Sequence, residues 1–192
     1  MLQNDLIYKR KPLNITKIIV SFLIIALISL GCSSDDGGSS KKIDTTNYGY
    51  TDLGDGTVLD NKTNLIWFKD ASAFEKMNWY NAMDMVAHLR SGEYGLSDGS
   101  EIGDWRLPTK EEWEEFFDYG YRKPPFSNAA GDGPWEEGDA FDNVQLLYHW
   151  SSTTTSADVN DAWMAILGSS GRTFTYFKTF KNGIVWPVRS GD

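Results

Sequence analysis

The chain has 192 residues, enough for one ordinary domain, with a net charge of −9 and 14% aromatic residues. Four of its 18 basic residues, but only one of its 27 acidic residues, lie in the first 31 positions, so the remainder is strongly acidic. Nucleic-acid binding depends on Lys and Arg to neutralise phosphates, and no nucleic-acid partner is therefore expected. All eight tryptophans follow residue 60, which gives the C-terminal part enough large rings to build a core.

The amino terminus is typical of an export signal. Basic residues precede an apolar run at positions 18–31, which ends at the only cysteine, Cys32. A membrane-spanning helix needs about 20 residues, so the run better suits the apolar region of a cleaved signal peptide. Residues 29–32 (SLGC) resemble a bacterial lipobox, although Ser29 stands where Leu is commoner. We predict a signal peptide at 1–31 and a lipoprotein with diacylglyceryl and palmitate chains on Cys32; an uncleaved anchor or an incidental cysteine are the alternatives.

Residues 32–48 are predicted to be a flexible tether between the membrane and a folded domain at 49–192. The segment contains SSDDGGSSKK, which has too little apolar surface to fold. By resemblance to Gram-negative lipoproteins, Ser33 rather than Asp directly after the cysteine favours the outer membrane. With Cys32 acylated, the chain has no cysteine for a disulfide, a thiolate metal site or a nucleophile.

Two helices are predicted in the first half of the domain. Apolar residues recur with helical spacing over 78–90, and Asn78 is a suitable N-cap. The second helix follows Pro108: Thr109 and Glu112 have the spacing of a capping box, and Trp113 begins the buried face that Phe116 and Phe117 continue.

Short strands are predicted before and after these helices. The first pair lies at 57–60 and 65–68, and the later strands lie at 144–150, 162–167, 172–179 and 183–189. Turns at 168–171 and 181–183 are typical of hairpins. Helices early and strands late predict an α+β domain with two helices and short antiparallel strands.

Five segments in this order resemble the Lcl C-terminal domain family, bacterial extracytoplasmic domains of unassigned function whose architecture is C-type-lectin-like. They are GTVLDNKTNLIW (56–67), GDWRLPTKEEW (103–113), YHWSSTTTS (148–156), AWMA (162–165) and VWPVRSG (185–191). The resemblance implies a C-type-lectin-like α+β fold for nearly the whole domain.

The RLPT-x-x-EW part of these segments also resembles the formylglycine-generating enzymes, but their activity does not carry over. Those enzymes oxidise a substrate cysteine with cysteines that hold copper, and this domain has none. It also lacks the Glu-Pro-Asn or Gln-Pro-Asp tripeptide through which many lectins hold sugar by calcium. The lectin-like resemblance therefore does not imply calcium-dependent sugar binding.

The loop at 131–143 is the predicted binding site. Its acidic residues surround one aromatic residue, Trp135; the acids are Asp132, Glu136, Glu137, Asp139 and Asp142. Calcium takes six to eight oxygens of this kind, but the spacing differs from an EF-hand, so a solvated acidic loop is the alternative. Trp135 either stacks on a sugar ring or a cation, or folds back over the core as a cover.

No catalytic constellation is predicted. The only histidines are His88, on the first helix, and His149, on a strand where it shares a face with Ser151. No G-x-S-x-G elbow presents a serine, and two histidines on different elements make a poor zinc site. No pair among the abundant acids is marked out for glycoside hydrolysis.

We therefore expect an exported, membrane-anchored surface lipoprotein whose domain is not an enzyme and needs no cofactor. Its expected ligand is a polysaccharide or a surface protein, bound by loops on a rigid scaffold. A structural or assembly module of the cell envelope is the alternative, and a hydrolase comes third.

Overall fold

The computed structural model describes residues 49–118, 120–168 and 170–191. The predicted signal peptide at 1–31, the lipidated Cys32 and the tether at 32–48 lie outside the described residues. None of the helices in the described ranges has the length and apolar character needed to cross a bilayer.

Seven antiparallel strands and two helices in the described ranges confirm the α+β class. The strands are β1 (Tyr50–Asp52), β2 (Thr57–Asp60), β3 (Leu65–Phe68), β4 (Tyr148–Thr154), β5 (Asp161–Ile166), β6 (Arg172–Phe177) and β7 (Val188–Ser190). One sheet has the order β1-β2-β3-β7 and the other the order β4-β5-β6. The helices are α1 (Trp79–His88) and α2 (Lys110–Phe116).

Both predicted helix starts are confirmed. The Asn78 side chain accepts a hydrogen bond from the backbone N–H of Asn81 at 3.0 Å. At α2, the Thr109 hydroxyl accepts from the N–H of Glu112 at 3.1 Å, and the Glu112 carboxylate accepts from the N–H of Thr109 at 2.7 Å. This is the reciprocal pattern of a capping box, which satisfies two N–H groups that the helix itself leaves free.

The strand predictions are correct at β2, β3, β5 and β6, and β5 and β6 pair antiparallel as consecutive strands, as expected. Strand β4 begins at Tyr148 rather than at 144, because side-chain bonds tie the preceding segment to another loop: Gln145 donates to Ser72, and Ser72 donates to the carbonyl of Asn143. Strand β1 was not predicted.

The prediction of a hairpin at 181–183 is wrong. The chain does not return beside β6: Ile184 forms a bridge with β4, and the strand predicted at 183–189 is shorter, because β7 begins at Val188 and pairs with β3. Gly183 serves close packing, because a Cβ atom at this position would overlap the indole of Trp150.

Large rings fill the core between the sheets and helices. Trp67 lies at its centre, with ring-centroid distances of 5.2 Å to both Trp113 and Trp186. Two of the buried indole N–H groups find partners in distant segments, since Trp113 donates to the carbonyl of Trp150 and Trp186 to that of Phe68. These bonds satisfy polar atoms that would otherwise be costly to bury. The indole N–H of Trp67 has no partner among the described residues.

Candidate functional site

Trp135, the predicted aromatic contact of the acidic loop, is buried. Its side chain is 9% exposed and packs on Phe126 with a ring-centroid distance of 5.5 Å. The backbone N–H of Trp135 donates to the carbonyl of Phe126. Of the two alternatives for this ring, the structure shows the cover over the core, so the ring face is not presented for stacking on a sugar.

Three acids of this loop accept hydrogen bonds that fix its conformation. Asp139 accepts from the N–H of Ala129 at 3.2 Å, and Glu137 accepts from the N–H of Asn143 at 2.6 Å. Asp132 accepts from the side chain of Asn128 at 2.9 Å.

Of the two remaining acids, Asp142 is 3.9 Å from the Lys69 ammonium, and Glu136 lines a shallow hollow of about 460 Å³ together with Glu137 and Asp139. Within the described ranges, no three His, Cys, Asp or Glu side chains are grouped so that they could hold a metal ion. Calcium binding by this loop stays a prediction.

His149 lies in the core. Its ring packs on Trp113 and Trp186, at 5.4 and 5.8 Å between centroids. Burial lowers its pKa to about 3, so the imidazole is neutral at physiological pH. Its Nδ1 donates to the carbonyl of Leu147, and its Nε2 has no partner in the described part of the chain.

Neither histidine belongs to a hydrolytic arrangement in the described ranges. The Ser151 hydroxyl accepts from the N–H of Thr153, and no hydrogen bond joins it to His149 among the described residues. His88 is exposed, and its Nδ1 lies 2.7 Å from the carbonyl oxygen of Asp84, one turn earlier on α1.

A groove with aromatic walls lies on one face of the β4-β5-β6 sheet. This aromatic groove has a volume of about 230 Å³ and is lined by Tyr148, Met164, Arg172, Phe174, Tyr176 and Phe180. Thr173, between two lining residues of β6, donates to Glu114 of α2 at 2.7 Å. Because side chains alternate along a strand, the groove lies on the sheet face opposite α2.

The rings of the aromatic groove pack against one another edge to face. Tyr176 meets Phe180 at 4.9 Å and 78°, and Tyr148 meets Phe174 at 5.6 Å and 76°. Both tyrosines remain about 40% exposed. Arg172 at one end is exposed and makes no ion pair with any described residue. The groove therefore presents ring surfaces, two phenol groups and one guanidinium group to solvent.

A signal for this groove is present in the sequence. Arg172, Phe174 and Tyr176 alternate along a predicted strand, so they share one face. The alternation does not reveal that Tyr148 and Tyr176 stay about 40% exposed on this face of the sheet.

A family model described as the Lcl C-terminal domain matches residues 56–189. The match covers both helices and all the strands except β1 and the last residue of β7. No curated protein and no solved structure matches the chain significantly.

Proposed function

Because the chain belongs to the Lcl C-terminal domain family, we propose that it is a non-enzymatic binding module of the bacterial cell envelope that binds a glycan in the aromatic groove. The observation that carries this proposal is the pair of half-exposed tyrosine rings beside Arg172. The resemblance of the family to C-type-lectin-like domains favours the same function. Loop 131–143 is not included in the proposed site, because Trp135 is buried.

The chemistry of the groove suits sugars. The C–H faces of a pyranose ring pack on aromatic rings, while its hydroxyl groups exchange hydrogen bonds with phenol and guanidinium groups. Pockets for drug-sized ligands have volumes of about 300–1,000 Å³. The groove, at about 230 Å³, is smaller. It therefore suits one or two rings of a longer chain that continues into solvent.

Replacing Tyr176 tests the proposal, and its neighbour on β6 provides a matched control. Tyr176→Ala is expected to lower the affinity for a glycan by at least about tenfold, because an aromatic anchor in a binding groove is commonly a hot spot. Phe177→Ala removes a neighbouring ring that is 60% exposed, lies 5.6 Å from the Tyr176 ring and does not line the groove, and it should leave the affinity unchanged.

Glycan arrays identify the ligand, and titration calorimetry then compares the variants. Both variants should unfold within about 1 kcal/mol of the wild type, since their rings are substantially exposed. Undiminished glycan binding by a folded Tyr176→Ala variant would contradict the proposed site.

A protein partner is the second candidate function, favoured by the apolar surface around β6. Phe177 and Val159 are exposed, and β6 is the edge of its sheet. Exposed edges and apolar patches suit protein contacts. The same variants separate the two functions: a protein ligand held by this surface would be lost in Phe177→Ala, whereas a glycan would not.

We also propose that the domain is exported and held at a membrane by lipid on Cys32, in the outer membrane if the cell is Gram-negative. The apolar run at 18–31 and the tether that follows it support this proposal. Mass spectrometry should detect a diacylglyceryl-modified peptide that begins at Cys32. Cys32→Ala should release the protein from the membrane fraction, and Ser33→Asp should keep the lipid but favour the inner membrane. A mature protein that retains residues 1–31 would refute the proposal.

A further inference from the structure

A second cavity lies where β1 and β2 meet the end of α2. It has a volume of about 450 Å³, and its wall includes Tyr50, Asp60, Lys62, Glu115, Phe116 and Asp118. It shares no lining residue with the aromatic groove. Three carboxylates and one ammonium group line it, so its wall is negative.

Asp60 is an unusual member of this wall because it is a buried carboxylate without a counter-charge. It is 3% exposed. Its Oδ1 accepts from the backbone N–H groups of Lys62 and Thr63, at 2.8 and 3.4 Å. Within the described ranges, Oδ2 has no hydrogen bond and the carboxylate has no ion pair.

The lysine in the cavity wall does not supply that counter-charge. The ammonium group of Lys62 donates to the carbonyl of Glu115 at 2.9 Å instead. A cation in the cavity would supply the counter-charge that no described residue gives to this carboxylate.

Tyr50 adds a second unpartnered group. Its side chain is 8% exposed and packs on Phe116 and Phe141, at 5.9 and 4.9 Å between ring centroids. Its hydroxyl has no hydrogen bond to any described residue. Burial, followed by the charges of Asp60 and Asp118, raises the pKa of this phenol well above its usual value. Both carboxylates are therefore close enough to make the potential at the hydroxyl negative.

We propose that this cavity binds the ammonium group of an organic amine. Asp60 Oδ2 and the Tyr50 hydroxyl accept N–H bonds from the ammonium group, Asp118 adds negative charge at the rim, and the aromatic wall at Phe116 contacts the carbon chain. An organic cation fits better than a metal ion, because the described residues bring no three metal-ligating side chains together here.

Titration of the full-length protein with n-butylammonium chloride tests this inference, with n-butanol as the uncharged probe and calcium chloride as the metal probe. The amine should bind saturably and the alcohol should not. Asp60→Asn keeps an acceptor for the two N–H groups but removes the charge, and should weaken amine binding by about tenfold or more. Tyr50→Phe should weaken it by about threefold.

Asp84→Asn is the matched control, because Asp84 is an exposed carboxylate on α1 that does not line the cavity. Unchanged amine affinity in folded Asp60→Asn, equal affinity for butanol, or calcium that displaces the amine would each overturn the inference. If circular dichroism shows that Asp60→Asn is unfolded, Tyr50→Phe decides, and wild-type affinity in that variant overturns the inference. Glycan binding in the aromatic groove is independent of these outcomes.

Discussion

Trp113→Ala is expected to lower the free energy of unfolding by about 3–5 kcal/mol, the range for removing a large buried ring. The Trp113 side chain is fully buried and lies 5.2 Å from the Trp67 ring. Its indole N–H donates to the carbonyl of Trp150 at 3.2 Å, and truncation would leave that buried acceptor without this donor. The loss therefore includes a cavity and an unsatisfied polar atom.

Urea denaturation of the two proteins measures this difference. Trp163→Ala is a suitable control, because Trp163 is only half-buried, on the sheet face near α2, where the Lys110 ammonium lies 5.0 Å from its ring centroid. The same chemical change should cost clearly less at that position. A loss below about 1 kcal/mol for Trp113→Ala would mean that the ring does not pack in the core.

The second large effect is a loss of stability in acid that originates at His149. Burial lowers its pKa from the usual 6.5 to about 3 in the folded protein. Between these two values the unfolded chain binds a proton at this position and the folded protein does not. Unfolding is therefore favoured as the pH falls below about 6.5, by about 1.4 kcal/mol for each pH unit once the unfolded imidazole is protonated.

His149→Phe isolates this contribution. The variant removes the titrating group and the unpartnered Nε2 while keeping a ring of similar shape. Its free energy of unfolding should depend less steeply on pH than that of the wild type between about pH 6 and 5. The pKa of Glu114 is lowered chiefly by its bond to Lys110, so this carboxylate adds its own loss at lower pH in both proteins. Equal slopes in the two proteins would show that His149 is protonated without unfolding.

Local sequence signals were sufficient to predict several helices and strands. The capping box of α2 depends on two residues three positions apart, and the β2–β3 pair on two short runs joined by a turn. The family resemblance also followed from local segments, and the match over 56–189 confirms it. These features need no knowledge of the tertiary structure.

The burial of the candidate site residues depends on tertiary contacts, and it was therefore harder to predict from the sequence. Trp135 has the sequence surroundings of an exposed acidic loop, and only its packing on Phe126 shows that it is buried. Asp60 ends a short strand like many turn carboxylates, and its burial depends on segments that come together from elsewhere in the chain. The wrong hairpin at 181–183 has the same origin, because the choice of β3 as the partner of β7 is a long-range choice.

The central tryptophans also determine how the protein responds to ultraviolet light. The rings of Trp67, Trp113 and Trp186 lie 5.2 to 6.0 Å apart, close enough for their excited states to couple, so fluorescence reports on the group and not on one residue. His149 touches two of these rings, and a protonated imidazole quenches indole emission. Because this imidazole stays neutral in the folded protein down to about pH 3, the tryptophan rings are protected from this quencher for as long as the core remains folded.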